Sequence, residues 1–402
     1  MTQLSQHSST APRVGLPYNS ALDGLRGVAI LLVILSHAHA PLFQGAFYGV
    51  DIFFVLSGFL ITSLLLQEVQ THGRVDYVRF VRRRMYRLMP ALALFLAAYC
   101  VFAPWLWPGI DDVYTDALVS LLYLADYGIA FFDQPGTLLH MWSLAVEEHF
   151  YLLWPLLLVL LVRRSPAGRV WRAIALLYLM AWAWRVMWVA QGQAFYEIFF
   201  RFDTRSTGLL LGALLAALLL EQPAWFQAAR QRLAHGLWLV LAVPLLMAQD
   251  WDDMNVMLWG MTVVEAATAV VLLAVLSGKG MLHEMLSAPR LVMVGKLSYG
   301  VYLWHYPVVR YLRADWHWSI TVALGLLISL ALSALSFYTL ERWAMRRREH
   351  VAPTPAAQPA AQPTYAGSAL GRALLTARKA RAARAQSAYQ APLLGLRSAP
   401  AR

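Results

Sequence analysis

The chain has a single cysteine, Cys100, in 402 residues, so it can form neither an intrachain disulfide nor a cysteine-based metal site. It is also poor in charge: charged residues make up 14% of the sequence, against about a quarter in soluble proteins. Hydrophobic residues make up 59%, and they form long continuous runs rather than short alternating ones. These features exclude a soluble domain and predict an all-α polytopic membrane protein.

Acidic residues are absent after Glu349, although the whole chain carries a net charge of +11 from 33 basic and 22 acidic residues. The basic residues cluster between apolar runs and near the C-terminus, where orientation in a membrane explains them better than a nucleic-acid partner. We predict that residues 344–402 form a disordered basic cytoplasmic tail. Within it, residues 368–385 could form a basic helix on the inner leaflet or remain an unstructured cationic segment.

Ten apolar runs have lengths at or near the ~20 residues that cross a hydrocarbon core. They lie at 24–43, 47–69, 88–107, 139–162, 172–190, 206–221, 236–249, 257–277, 297–313 and 318–340. The run at 236–249 is the weakest, because it is short and contains Pro244. We predict that residues 22–343 form a ten-helix transmembrane domain after a cytoplasmic segment, residues 1–21. A second run follows the first closely, which favours a retained first helix over a cleaved signal peptide.

The loop charges predict an orientation. Basic loops alternate with acidic ones, and the positive-inside rule then places both termini in the cytoplasm. Residues 114–133 are apolar enough to enter the membrane, but three aspartates argue against a full crossing. Arg201 and Arg205 fall on the outer side, against this bias, which makes them candidates for a functional role.

The first apolar run, "LDGLRGVAILLVILSHAHA" at residues 22–40, carries Arg26 and His37. On a helix, eleven residues make about three turns, so the two side chains share a face within roughly 20° and lie ~16 Å apart. Ionisable groups at such depths usually face a cavity or a partner. His37 could therefore act as a general base, or it could only bond a neighbouring helix.

Two further stretches carry candidate site residues. In "GVDIFFVLSGFLI", residues 49–61, Asp51 lies near the outer end, and the small residues Ser57 and Gly58 allow close helix contact. "RRRMYRLMP", residues 82–90, places four arginines at the cytoplasmic start of a helix. Such a cluster suits phosphate binding, although orientation alone could explain any single arginine.

The stretch "HMWSLAVEEHFYLLWP", residues 140–155, places Glu147 and Glu148 at the predicted outer start of a span. One of these carboxylates could orient a histidine or compensate its charge, or the pair could simply lie at the membrane surface. Polar runs at 201–212 and 295–307 complete the set.

In this order, these stretches resemble the membrane acyltransferase-3 family over roughly residues 20–343. Each motif alone is weak, but the ordered set is specific: an arginine and a histidine with ten residues between them, "FFVLSGFLI", R-R-x-x-R-x-x-P, W-S-L-x-x-E-x-x-F-Y and "SYxxYLxH". The polar positions that match are Arg26, His37, Arg83, Arg84, Arg87, Glu147, Arg201, Asp203, Arg205, Ser298, Tyr299, Tyr302 and His305. His149 departs from the pattern, because members often have glutamine there.

The resemblance implies a multi-pass enzyme of the inner (plasma) membrane that transfers acyl groups, often acetyl, to carbohydrates outside the cytoplasm. The expected donor is cytoplasmic acetyl-CoA as a co-substrate, with no bound cofactor or metal. The expected acceptor is a hydroxyl group of an extracytoplasmic or lipid-linked carbohydrate. The expected partners are therefore the lipid bilayer, the acyl-CoA and the carbohydrate, with no nucleic acid.

The resemblance also implies roles for individual residues. His37 would be the general base or a transient acyl carrier, assisted by Arg26 and by Glu147, which would orient His37 or stabilise its cation. Substrate binding would fall to Arg83, Arg84, Arg87, Asp51, Arg201, Asp203, Arg205, Tyr302 and His305.

Two other function classes fit parts of the sequence. A transporter also has many spans with internal charges, but the motif set does not recur in the second half, as inverted repeats would require. A non-catalytic scaffold would use the basic tail but leaves Arg26, His37 and Glu147 unexplained. Two further charges in apolar runs, Arg185 and Glu265, could pair structurally or belong to a site.

Overall fold

The computed structural model describes residues 18–41, 43–233 and 249–349, and the regular structure in these ranges is entirely helical. We number the helices α1 (Ser20–His37), α2 (Gly49–His72), α3 (Tyr77–Leu106), α4 (Val113–Leu121), α5 (Ala125–Phe132), α6 (Met141–Arg164), α7 (Val170–Ala190), α8 (Phe195–Phe199), α9 (Phe202–Arg205), α10 (Thr207–Glu221), α11 (Ala224–Leu233), α12 (Met261–Val275), α13 (Met281–Leu286), α14 (Pro289–Lys296), α15 (Ser298–Leu312), α16 (Trp318–Ser336) and α17 (Arg342–Glu349). A 3₁₀ turn, Gln44–Tyr48, leads into α2, and π-helical turns, Val256–Gly260 and Phe337–Glu341, precede α12 and α17.

Seven of the described helical segments are long and apolar enough to cross a membrane: α1, α2 with its 3₁₀ turn, α3, α6, α7, α12 with its π turn, and α16 as far as Ala344. Seven of the ten predicted runs correspond to these segments. Helices α10 and α15 match two more runs but have 15 residues each. Helix α10 joins α11 at a bend of 108°, and this pair would make an eighth span. The predicted run at 236–249 lies almost wholly outside the described residues.

The multi-pass membrane architecture is thus confirmed, while the count of ten spans and the orientation stay predictions. The segment 1–17 and the segment 350–402, with its possible basic helix at 368–385, also lie outside the described residues. Helix α17 extends to Glu349, so residues 344–349, which the sequence analysis assigned to a disordered tail, are helical.

Close packing of α2 on α10 forms the centre of the bundle. A Cβ atom on Gly58 would overlap the carbonyl oxygen of Leu209, and one on Gly212 would overlap that of Val55. Only glycine allows the two backbones to approach this closely, as expected for helices packed in lipid. The prediction that Gly58 permits close helix contact is confirmed, and α2 is thereby held deep inside the bundle.

The segment that was predicted to enter the membrane without crossing it folds as the short helices α4 and α5. Asp116 is buried and accepts hydrogen bonds from the backbone nitrogens of Gly136 (2.8 Å) and Thr137 (2.9 Å) and from the hydroxyl of Tyr99 (3.0 Å). The Thr137 hydroxyl also donates to Asp116, and a buried carboxylate with these four donors fixes the loop ahead of α6 on α3. The aspartates that argued against a crossing here therefore include one that ties the loop down.

Candidate active site

Among the cavities formed by the described residues, two are central to the candidate site, and we name them by their characteristic side chains. The histidine cavity has a volume of about 520 Å³ and lies at the C-terminal end of α1, where His37, His140, Tyr306 and Arg313 are among its lining residues. The arginine cavity has a volume of about 300 Å³. Its charged lining residues are Arg26, Arg84, Arg87, Glu147 and Lys296.

His37 is the last residue of α1, and its ring is held by two neighbouring groups. Its Nδ1 lies 2.9 Å from the carbonyl oxygen of Val33 and 3.3 Å from Nε2 of His305. Nδ1 of His305 lies 2.6 Å from the carbonyl oxygen of Tyr302 and must donate to it, which leaves its Nε2 as an acceptor. This pattern requires a proton on Nδ1 of His37. Its Nε2 has no hydrogen-bond partner among the described residues and can accept a proton.

Two side chains that the sequence analysis did not select complete this cluster. The ring of Tyr306 makes an edge contact with that of His37, with centroids 5.0 Å apart, and stacks on that of His140 at 4.9 Å. His140 also contacts His305, with centroids 5.5 Å apart. Both residues lie within quoted stretches, His140 in "HMWSL" and Tyr306 directly after His305. Nothing in the sequence sets them apart from their neighbours there, and only their proximity to His37 in the fold identifies them. In the described part of the chain, no group of three or more histidine, cysteine or acidic side chains could hold a metal ion.

Glu147 lies in the arginine cavity, because α6 begins at Met141 and carries Glu147 about 9 Å further along its axis. Its Oε1 accepts a hydrogen bond from the hydroxyl of Ser57 at 2.6 Å, and the hydroxyl of Tyr151 donates to Ser57 at 2.8 Å. The sequence predicts Glu147 at the outer start of the span, where it would orient His37 or stabilise its cation. No contact among the described residues supports either role, since the partners of the His37 ring there are Val33, His305 and Tyr306.

The predicted phosphate-binding arginines divide into two kinds. Arg84 and Arg87 line the arginine cavity, while Arg83 is not among its lining residues. The guanidinium carbon of Arg84 lies 3.1 Å from the centre of the Tyr151 ring, and its Nε is 3.9 Å from a carboxylate oxygen of Glu148. Arg26 lines the same cavity and pairs with Asp23 at 3.6 Å. Arg26 and His37, which were expected on one face of the helix and could then have lined one interior channel, line two adjacent cavities instead.

A thin wall separates the two cavities, and Val50 and Tyr302 line both of them. The Tyr302 hydroxyl lies 3.0 Å from the carbonyl oxygen of His140 and 2.5 Å from the hydroxyl of Ser143. Phe53 makes an edge contact with the Tyr302 ring, with centroids 6.5 Å apart. The hydrogen-bonded side chain of Tyr302, together with Val50, therefore lies between the cationic cavity and the histidines.

Asp51 and Arg205, both predicted to bind substrate, instead pair with each other. The carboxylate of Asp51 lies 3.2 Å from the guanidinium of Arg205, and the two residues are 1% and 2% exposed. Arg205 also stacks against the Trp142 and Phe199 rings, at 5.0 and 4.7 Å from their centres. Because those two rings line the histidine cavity, the ion pair supports the cavity wall from behind.

Arg185 and Glu265, for which pairing was one expectation, are connected through a hydroxyl group. Nη1 of Arg185 donates to Oγ1 of Thr207 at 2.7 Å, and Thr207 donates to Oε1 of Glu265 at 2.6 Å. Both charged residues are buried, and neither lines either of the two cavities. The geometry favours a structural role for them, since burial of a charge is tolerated only with such partners.

Arg201 and Asp203, the remaining predicted pair, form a bidentate ion pair at 2.9 and 2.5 Å. Asp203 also accepts a hydrogen bond from the Trp184 indole at 2.7 Å. The charges of both residues are thus balanced by each other, and neither residue lines either of the two cavities. His149, which replaces the family glutamine, contacts buried Asp126 at 3.0 Å and lies away from both cavities as well.

Comparison with known proteins assigns the family. A model of the acyltransferase domain family (Acyl_transf_3) matches residues 19–339. The chain belongs to this acyltransferase family. The match covers both cavities and all the candidate residues described above, so the predicted resemblance is confirmed.

Curated members of the family resemble the chain over about half of their own length. YrhL of Bacillus subtilis (strain 168) is 32% identical over 355 residues, which are 81% of this chain and 54% of YrhL. The O-acetyltransferase OatA of Staphylococcus aureus (strain NCTC 8325) is 30% identical over 74% of this chain and 51% of its own. The peptidoglycan O-acetyltransferase OatA of Listeria monocytogenes (strain EGD-e) is 30% identical over 74% and 50%. No solved structure matches the chain significantly.

Proposed function

We propose that this chain is an O-acyltransferase of the cytoplasmic membrane that passes an acetyl group from acetyl-CoA to a carbohydrate hydroxyl group. The observation that carries the proposal is the adjacency of the two cavities across Tyr302. One is lined by four cationic side chains and one carboxylate, and the other by a histidine with an open Nε2. The names of the relatives, which include a peptidoglycan O-acetyltransferase, supply the acyl group and the class of acceptor.

The donor site is the arginine cavity in this proposal. Acetyl-CoA is polyanionic, and its phosphates would lie against Arg84, Arg87, Arg26 and Lys296, where charge-assisted hydrogen bonds are strongest. Its pantetheine arm is uncharged and slender, and in this proposal it enters the histidine cavity past Tyr302 when that side chain turns aside. The thioester would then reach His37.

The chemical step is acyl transfer assisted by proton removal. The acceptor hydroxyl attacks the thioester carbonyl, and Nε2 of His37 takes the hydroxyl proton. The carbon–sulfur bond breaks, and the coenzyme A thiolate leaves and takes up a proton. In the second possible route, Nε2 attacks the thioester first and carries the acetyl group briefly before the acceptor receives it. In both routes His305 and the Val33 carbonyl hold the ring with Nε2 directed toward the substrates.

We further propose ten spans with both termini in the cytoplasm. Basic residues at the ends of α3, α6 and α14 support this orientation, because such residues remain on the cytoplasmic side. The arginine cavity then opens toward the cytoplasm, where acetyl-CoA is made, and the histidine cavity toward the outside, where the acceptor lies.

Sealed vesicles test the proposal directly. Inside-out vesicles that contain the chain should transfer label from added acetyl-CoA to an acceptor in the lumen, whereas right-side-out vesicles should remain inactive. Equal activity in both would show that the donor does not enter from the cytoplasm. Purified chain that neither hydrolyses acetyl-CoA nor transfers its acetyl group, but moves solutes across vesicles, would support a transporter instead.

A further inference from the structure

A third open space lies next to the histidine cavity, and we name it the tryptophan groove. Its volume is about 570 Å³, which is within the range of small-molecule sites. It is lined by Ala38, His39, Trp107, Arg310, Arg313, Ala314, Trp316 and Trp318. His39 and Arg313 also line the histidine cavity, so the groove continues into the space that contains His37.

The two arginines of the groove have no acidic partner. Among the described residues, no carboxylate lies within 4.0 Å of either guanidinium. Residues 1–17, 42, 234–248 and 350–402, which are not described, contain no aspartate or glutamate at all. This contrasts with Arg201 and Arg205, each of which is paired with an aspartate. An unpaired guanidinium at a binding surface is suited to a planar anion.

The present contacts of the two arginines are with neutral groups. Nη1 of Arg310 donates a long hydrogen bond of 3.4 Å to the carbonyl oxygen of Thr137. Nη1 of Arg313 donates to the carbonyl oxygen of His37 at 3.0 Å and lies 3.0 Å from Nε2 of His39. Burial, and then the charge of Arg313, lowers the pKa of His39, which favours the neutral imidazole that accepts this bond. Arg313 thus connects the groove to the backbone of His37.

The aromatic residues supply a second recognition element. Trp107, Trp316 and Trp318 come from two separate parts of the chain and line one groove with the arginines. The flat C–H face of a pyranose ring packs well on an indole, which offers a large rigid apolar surface with one polar end. Tryptophan and arginine also occur at membrane surfaces, where they contact lipid headgroups. Continuity of the groove with the histidine cavity favours a sugar that is being presented to His37.

We propose that the tryptophan groove binds an acidic sugar of the acceptor, with its carboxylate on Arg310 and Arg313 and its ring on the tryptophans. The inference rests on the proposed function for its biological meaning, because it names the chemical class of the acceptor. The hydroxyl to be acetylated would then lie on the same or the adjoining sugar, inside the histidine cavity.

Direct binding to the full chain tests this site without any turnover. The protein carries His37→Ala and is titrated calorimetrically with two pairs of probes. One pair is the disaccharide of N-acetylglucosamine and N-acetylmuramic acid and its methyl ester; the other is trigalacturonic acid and its methyl ester. We expect at least one acid to bind about tenfold or more tightly than its ester, the effect of one charge-assisted hydrogen bond. If no acid binds measurably, or none binds more tightly than its ester, the proposal is wrong.

Matched variants locate the carboxylate and the ring. Arg310→Gln should lower the affinity for the acid to that for the ester and leave the ester unaffected, whereas Arg169→Gln, an exposed arginine elsewhere, should change neither. Trp107→Ala should lower the affinity for the acid and for the ester alike. Trp105 is 84% exposed and does not line the groove, so Trp105→Ala should lower neither affinity. If Arg310→Gln lowers the affinity for the acid and for the ester equally, the assignment of the carboxylate to Arg310 is overturned.

Three outcomes distinguish this proposal from a lipid site and from the proposed function on which it rests. If Arg310→Gln leaves sugar binding intact but lowers retention of phosphatidylglycerol in nanodiscs, the groove is a lipid headgroup site and the proposal fails. If the chain with His37 intact binds acids selectively but transfers no acetyl group from acetyl-CoA, the groove stands and the proposed function fails. Transfer to neutral and acidic sugars at equal efficiency would leave the function standing and overturn the acidic site.

Discussion

The two interior cavities lie on either side of one tyrosine and differ sharply in charge. The arginine cavity has four cationic side chains and a single carboxylate among its lining residues, whereas the histidine cavity has three histidines beside only one arginine and one aspartate. A cationic space attracts a polyanion but is a poor place to create an imidazolium, because like charges repel. In the proposed mechanism, placing the histidines behind Tyr302 would separate donor binding from proton transfer.

Two other sets of buried charges lie outside the proposed binding sites and serve as a comparison for the charges of the cavities. Asp51 with Arg205, and Arg185 with Glu265 through Thr207, are buried and matched in charge. The arginine cavity instead has an excess of positive charge over acidic partners. The comparison indicates that opposite charges brought together inside the chain support the fold, while unbalanced charge beside a cavity belongs to binding.

The largest expected effect comes from removing the base. His37→Ala should lower kcat for acetyl transfer by at least about 100-fold, since general-base catalysis contributes that much or more, while the amount of inserted protein remains normal. His72→Ala, an exposed histidine at the end of α2, is the matched control and should be active. Near-normal activity of His37→Ala would remove the histidine cavity from the mechanism.

Loss of the single carboxylate in the arginine cavity should have the next largest effect. Glu147→Gln removes a charged acceptor from Ser57, an interaction worth about 1.5–3 kcal/mol, so activity should fall roughly ten- to a hundredfold. Glu148→Gln should cost less, because Glu148 does not line the cavity and lies 3.9 Å from Arg84. Steady-state kinetics of both variants measure the order. Equal losses would mean that position in the cavity does not decide which carboxylate matters.

Removal of cationic charge should act on donor binding rather than on chemistry. Arg87→Gln and Arg84→Gln should each raise KM for acetyl-CoA about tenfold, since each loses a charge-assisted phosphate contact. Arg83→Gln, from the same cluster but outside the cavity lining, should raise it much less. Cysteine-accessibility mapping checks that each variant keeps its orientation. A KM that rises equally in all three would point to a diffuse electrostatic effect instead.

The smallest expected effects concern Tyr302, which lies between the two cavities. Tyr302→Phe keeps the ring between the cavities but loses hydrogen bonds to Ser143 and the His140 carbonyl, which should cost about 1 kcal/mol of stability. Tyr302→Ala should also join the cavities and let free acetyl-CoA hydrolyse faster without an acceptor. Thermal unfolding and hydrolysis assays measure the two effects. Unchanged hydrolysis in Tyr302→Ala would show that Tyr302 does not separate donor from water.

Some of the site could be read from the chain because its residues recur at helical spacing. Arg26 and His37 share a face of α1, and both line interior cavities as that face predicts. Glu147 lies about 9 Å along α6 from Met141 and lines the arginine cavity. An apolar run predicts the span but not which neighbouring helices its side chains face. Arg201 was selected because it falls against the charge bias of the loops, and Asp203 because it matches the family pattern; the structure shows that they pair with each other.

By itself, the sequence determined that this chain is an all-helical membrane protein of the acyltransferase family, because long apolar runs and ordered motifs are local properties of the chain. It also marked His37, because a histidine deep in an apolar helix is costly without a purpose. Only the tertiary structure decided that His305, His140 and Tyr306 surround that ring, and that Tyr302 divides the interior. Those contacts join α1, α6 and α15, whose side chains meet only when close packing brings the distant helices together.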